Sequence, residues 1–189
     1  MNPVLTALSE IAKFLDQHGH TDAVIGGLAA GYRGQPRTTS DIDILLWVEL
    51  GEENDAIQSV FEAFPARFED ADEVARTGRV IAINAHNDVP IDLALACFAF
   101  EEEKLKRATR AAIHRRLKVP ILAAEDLVVS KWLADRAIDW FDIEGLFDRL
   151  GPRLDYEAIR TRILAIRDML DAPAILQRLE TIHQKSSEL

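Results

Sequence analysis

Residues 24–46 read VIGGLAAGYRGQPRTTSDIDILL. An apolar run ends at Gly26-Gly27, thirteen residues intervene, and Asp41-Ile42-Asp43-Ile44 opens a second apolar run. Side chains on a strand alternate between faces, so Asp41 and Asp43 project together while Ile42 and Ile44 turn into the core. Two carboxylates side by side repel unless a cation sits between them. A hard divalent ion removes that repulsion, and Mg²⁺ is typically held by one or two carboxylates plus substrate phosphates. A bare D-x-D is more often a turn cap beside a solvated strand residue. The surroundings shift that balance.

Gly26-Gly27 falls between a strand and a helix start, where exposed N–H groups and the helix dipole favour a phosphate. Glycine lets the phosphate approach the backbone closely. A third acid, Asp92, stands alone in the apolar run Val89-Pro90-Ile91-Asp92-Leu93-Ala94-Leu95. A lone charge on a buried strand is costly unless it is paired or binds a metal. Three carboxylates at strand positions beside a Gly-Gly cradle suit metal-assisted phosphoryl transfer. With two ions, one activates the attacking hydroxyl and the other holds the triphosphate.

Around this stretch the pattern predicts a mixed α/β half followed by an all-helical half. Residues 3–18 carry apolar groups at helical spacing, and Gly19 supplies a stop. Strands are expected at 23–25, 42–48, 80–85 and 89–95, the last two forming a hairpin across His86-Asn87-Asp88. Residues 53–64 and 98–110 read as helices, and 112–119 as one further strand ending at Pro120. Four helices follow from residue 123, the last two at about 156–170 and 172–185. The expected domains are an α/β core over 1–120 and a helical region over 121–189 packed on it.

The chain has 189 residues, 48% hydrophobic and 29% charged, which is ordinary globular composition. No apolar run approaches the ~20 residues that span a bilayer, and the N-terminus lacks a basic region before its apolar positions. A single cysteine, Cys97, excludes an internal disulfide and fits a reducing, cytoplasmic setting. A net charge of −10 argues against a general nucleic-acid coat protein. One local basic stretch stands out at 104–118, with Lys104, Lys106, Arg107, Arg110, Arg115, Arg116 and Lys118 and no acid. It is either a polyanion-binding surface or a solvated face balancing Glu101, Glu102 and Glu103.

The glycine pair, the D-I-D-I run and the later strand aspartate together resemble the signature of the DNA polymerase β-like nucleotidyltransferase superfamily over about residues 20–95. The resemblance implies a nucleotidyltransferase-like mixed sheet flanked by helices, with an NTP donor and Mg²⁺, two ions, replaceable by Mn²⁺. It implies that Gly26 and Gly27 meet the nucleotide phosphates and that Asp41 and Asp43 bind the metal. Asp92 completes the set and helps activate the acceptor hydroxyl. In similar enzymes the loop before the first acid also contacts the phosphates; here it offers Arg37, Thr39 and Ser40.

Residues 123–147, AAEDLVVSKWLADRAIDWFDIEGLF, look like a segment of bacterial nucleotidyltransferases of the abortive-infection (AbiEii-like) toxin class. There a helix lysine, here Lys131, reaches the nucleotide, and a following acid, here Asp142, supports it. An ammonium beside a triphosphate would stabilise charge during transfer. Read without that resemblance, Lys131 is a snorkelling surface lysine, Asp142 a helix cap or a partner of Lys131, and Asp139 a helix-start residue.

The expected reaction moves an NMP from an NTP to an acceptor hydroxyl and releases pyrophosphate. The basic stretch favours a macromolecular acceptor, a tRNA or a protein, in a toxin–antitoxin or phage-defence system with a cognate partner. A small-molecule acceptor of the aminoglycoside type is the nearer rival, suited to an acidic protein. A non-catalytic nucleotide-binding antitoxin or interaction module is the more distant one.

Overall fold

The computed structural model describes residues 2–114, 117–170 and 173–187, and the side chains of 2–114, 117–166 and 177–186. Among these, six strands form one mixed sheet: β1 (Asp22–Val24), β2 (Ile42–Trp47), β3 (Val80–Asn84), β4 (Pro90–Ala96), β5 (Thr109–His114) and β6 (Leu117–Ile121). Their spatial order is β3-β4-β2-β1-β6-β5. The β2–β4 and β1–β6 pairs are parallel and the other three antiparallel.

The chain divides into two compact units. One comprises Met1–Leu28 with Thr38–Leu122, the other Ala29–Arg37 with Ala123–Leu189. The first holds the sheet and helix α1 (Pro3–Gln17). Helix α2 (Gly26–Arg33) begins in it, and α3 (Glu53–Ala63), α4 (Ala71–Gly78) and α5 (Ala99–Lys106) complete it. Helix α1 starts with Asn2, whose side chain accepts from the Val4 N–H at 2.9 Å, and with proline at its first position. Both features favour a helix start. Its stripe Leu8, Ile11 and Leu15 is fully buried. Ile42, Ile44 and Leu46 of β2, Ile81 and Ile83 of β3, and Ile91 and Leu93 of β4 are likewise buried.

Three elements differ from the sequence pattern. Helix α4 has no strong apolar stripe, burying only Ala71 and Ala75; an i,i+4 pair of Asp72 with Arg76 supports its exposed face. Helix α5 ends at Lys106 rather than Arg110, and the single strand expected over 112–119 is a hairpin of β5 and β6. Strand β5 has no fully buried residue, Ala111 and Ile113 being half-buried on one face, so its apolar signal is weak. Asp41 lies at a bend just before β2 rather than within it. The start of the last expected helix, Ala172, lies outside the described residues.

The second unit contains α6 (Ala124–Ala134), α7 (Ala137–Leu150), α8 (Tyr156–Leu170) and α9 (Pro173–Ser187). Trp132, Trp140, Ile143, Leu146, Phe147, Ile159, Ile163 and Leu179 make its core. Residues 29–37 belong to this unit because they lie tightly on α7. A Cβ on Gly34 would come within 2.9 Å of the Leu146 backbone nitrogen, and one on Gly145 within 3.1 Å of Gln35. Arg149 donates to the Gly34 carbonyl at 2.9 Å, and Gln35 to Asp148 at 3.0 Å. Among the described residues no helix is long and apolar enough to cross a membrane.

Candidate active site

The carboxylates of the sheet come from adjacent strands. The parallel register sets Asp43 of β2 directly beside Asp92 of β4, so the two side chains share a face while Ile42 and Ile44 fill the other. Strand order places them together although 48 residues separate them. Asp41, two residues earlier, has its carboxylate held by the Thr39 hydroxyl at 2.6 Å. Ser40 is exposed beside it.

Gly26, the first residue of α2, has φ +63°, the left-handed region that favours glycine. The Ile25 N–H just before it donates to the Asp43 carbonyl at 2.9 Å. A side chain on Gly26 would overlap the Asp43 carboxylate. The glycine is therefore required twice, by its backbone and by the acid in front of it. Gly27 follows, buried, in the first turn. Gly26→Ala is expected to lose about 1–2 kcal/mol from the left-handed backbone alone and to displace the Asp43 carboxylate. Thermal unfolding and a titration with Mg²⁺·NTP measure the two effects, and unchanged nucleotide affinity would separate the glycine from the site.

Asp92 has a partner that sequence patterning did not foresee. Arg67 forms a two-pronged ion pair with it, one prong an Nη1 bond of 3.3 Å to Oδ2 and the other running from Nη2 to Oδ1. The lone acid on an apolar strand is thus paired, one of the two resolutions that burial allows. The signal lay in the loop Pro65-Ala66-Arg67, but only the sheet register shows which acid the arginine meets. Among the described residues no three His, Cys, Asp or Glu side chains are grouped to hold an ion. Asp41 and Asp43 offer hard oxygen donors of the kind that Mg²⁺ takes, and Asp43 lies against a glycine turn kept free of any side chain. Asp92 is engaged by the arginine.

The other predicted residues lie in the helical unit as one ionic cluster. Lys131 is buried, with its Nζ 2.9 Å from Asp139 and 2.7 Å from Asp142. It is not a snorkelling surface lysine. Arg37 closes the cluster from the other side, donating to both Asp142 oxygens at 2.7 and 3.1 Å. Arg136 holds Asp139 at 2.6 Å. Burial would raise the Asp139 pKa, yet its bonds to Arg136 and Lys131 outweigh that and hold it below the usual carboxylate range. Nearby, Asp126 is fully buried against Arg162 at 3.0 Å.

Three of the five described basic residues of the stretch are paired with acids of the first unit. Lys106 pairs with Glu102 at 2.9 Å and Glu103 at 3.1 Å, Arg107 lies 3.8 Å from Glu103, and Arg110 pairs with Asp16. Lys104 lies over the Phe100 ring. Arg115 and Arg116 lie outside the described residues. Of the tryptophans, Trp132 and Trp140 are core residues, while Trp47 is half-buried and donates to Glu49 at 3.0 Å.

No curated protein matches the sequence. Solved structures share the fold at low identity. An antigenic nucleotidyltransferase-like protein from Paracoccidioides brasiliensis is 18% identical with TM-score 0.53, over 93% of this chain and 91% of its own. The antibiotic-resistance factor ANT(2'')-Ia is 17% identical with TM-score 0.56, over 97% of both chains. The lincosamide antibiotic adenylyltransferase LnuA, solved with lincomycin bound, is 15% identical with TM-score 0.51, over 75% of this chain and 94% of its own. Residues 4–181 match the family described as nucleotidyl transferase of unknown function (DUF2204), and the chain belongs to that family.

Proposed function

We propose that the protein transfers an NMP from an NTP to a hydroxyl of a small molecule and releases pyrophosphate. The observation that carries this reading is the in-register pair Asp43 and Asp92 beside the glycine turn at Gly26. Gly26 and Gly27, at the head of α2, present backbone N–H groups to the triphosphate, and Thr39 and Ser40 border the same acids. Asp41 and Asp43 are the residues that would hold Mg²⁺, which supplies charge neutralisation on the phosphates. Asp92, beside Asp43, takes the proton of the attacking hydroxyl. Lys131, Asp142 and Arg37, which the sequence placed on the nucleotide, act here as the ionic framework of the helical unit.

Two observations support a small acceptor over a macromolecule. Three of the basic residues that favoured RNA, Lys106, Arg107 and Arg110, are paired with Glu102, Glu103 and Asp16. The chain also shares its fold with an antibiotic-resistance factor over 97% of both chains, a likeness that supports a small acceptor.

The test is a transfer assay with Mg²⁺ and each α-labelled NTP in turn, offering aminoglycosides, lincosamides, total RNA and a cell extract separately. Label on one of the small molecules is the expected result. Label on RNA or protein would move the acceptor to the macromolecular class. NTP binding with no label on any acceptor would favour a non-catalytic interaction module.

A further inference from the structure

Four residues lie in a row across one end of the sheet. Asp43 of β2 is registered with Asp92 of β4, and Asp92 with Ala82 of β3. The Ala82 carbonyl in turn accepts from the Arg67 N–H at 3.0 Å. Arg67 is fixed there by its chain neighbours. Ala66 bridges to Ile83, and the Asn84 N–H donates to the Pro65 carbonyl at 3.0 Å, so residues 65–67 run along the outer edge of β3. Directly opposed residues share a face, which puts Ala82 between Arg67 and Asp92. Its methyl is short enough for the arginine to cross the two strand spacings, about 10 Å, and grip the carboxylate.

We propose that Arg67 is a built-in counter-cation for Asp92, so that the divalent ion is held by Asp41 and Asp43 without the third acid. This rests on the reading of Asp41 and Asp43 as metal acids. A planar guanidinium matches a carboxylate in two-pronged fashion and cannot lose its charge. It takes one lone pair on each carboxylate oxygen and leaves one on each for the hydroxyl proton, and its charge removes the repulsion between Asp92 and Asp43 that a second ion would otherwise relieve. The edge-strand attachment of Arg67 holds the charge in place, as a mobile surface lysine would not. The site therefore carries one metal and one arginine where the sequence pattern alone predicts two metals.

Manganese binding, followed by the loss of the free-ion paramagnetic resonance signal, tests this without reference to turnover. Wild type is expected to take one Mn²⁺ per chain. Asp41→Asn and Asp43→Asn are expected to weaken it by about tenfold or more, since affinity follows the number of charged ligands. Asp92→Asn is expected to leave it within about twofold. Arg67→Ala frees Asp92 and is expected to strengthen binding several-fold or admit a second ion, whereas Arg67→Lys keeps the charge and binds a single ion. If Arg67→Ala does not fold, the Asp92→Asn comparison and the wild-type stoichiometry still decide. Two ions in wild type, or a loss in Asp92→Asn equal to that in Asp43→Asn, would overturn the role of Arg67 and leave the metal acids standing. No Mn²⁺ bound by wild type, with or without NTP, would instead remove the metal reading itself.

Discussion

Asp43→Asn is expected to lower nucleotidyl transfer by roughly 10³-fold, the scale on which removing a charge-stabilising group acts in such reactions. Asparagine keeps the size of the side chain, so the packing against Gly26 and the strand register survive. What it removes is one negative charge from the acid that lies against the glycine turn and is registered with Asp92. The loss should fall on kcat, while the melting temperature stays within a few degrees of wild type. Initial rates and thermal unfolding on the same preparation check both parts. Activity within tenfold of wild type, in a folded variant, would reduce Asp43 to a structural residue.

Lys131→Met should act on stability instead. The ammonium is the shared partner of two carboxylates, each only 1% exposed. Methionine fills the same space without the charge, leaving Asp139 to Arg136 alone and Asp142 to Arg37 alone. Each buried carboxylate loses one charge-assisted hydrogen bond and keeps one arginine, a loss of about 2–3 kcal/mol in all. For a chain of this length that is a fall of on the order of 10 °C in melting temperature. The pH dependence has a definite sign. Asp139 has a depressed pKa in the folded protein, so the stability it contributes is present at neutral pH and lost as pH falls through and below the usual carboxylate range. Lys131→Met should shrink that acid sensitivity. Calorimetric melts at pH 7 and pH 4 for both proteins measure it, and a variant melting within 2–3 °C of wild type, on the order of 1 kcal/mol, would show that the cluster carries little stability.

How much of this was legible in the sequence depended on how local the cause was. Apolar runs with β-branched residues marked β2, β3 and β4, and the helical spacing of Leu8, Ile11 and Leu15 marked α1, because burial leaves its period in the chain. The strand period made it legible that Asp43 faces away from Ile42 and Ile44, but not that Asp41 lies at a bend before the strand. Helix α4 left only a short trace, burying two alanines in eight residues, and strand β5 a weak one, since none of its residues is fully buried. Arg67 was beyond local reading for a different reason. Its meeting with Asp92 spans 25 residues and depends on a cross-sheet register that no spacing rule supplies. Lys131 drew its expected nucleotide role from a family resemblance, while its burial between Asp139 and Asp142 could not be read from spacing.

The two kinds of ion pair in this molecule answer differently to dissolved salt. Mobile ions screen charges that solvent can reach, over about 8 Å at physiological ionic strength. Asp72 with Arg76, and Lys106 with its glutamates, are about half exposed and weaken in brine. The Lys131 cluster is closed to counterions, so its hold on α6 and α7 stays nearly constant from dilute buffer to a salty cell interior. The helical unit therefore keeps its internal geometry over a range of osmotic conditions in which its surface charges no longer count.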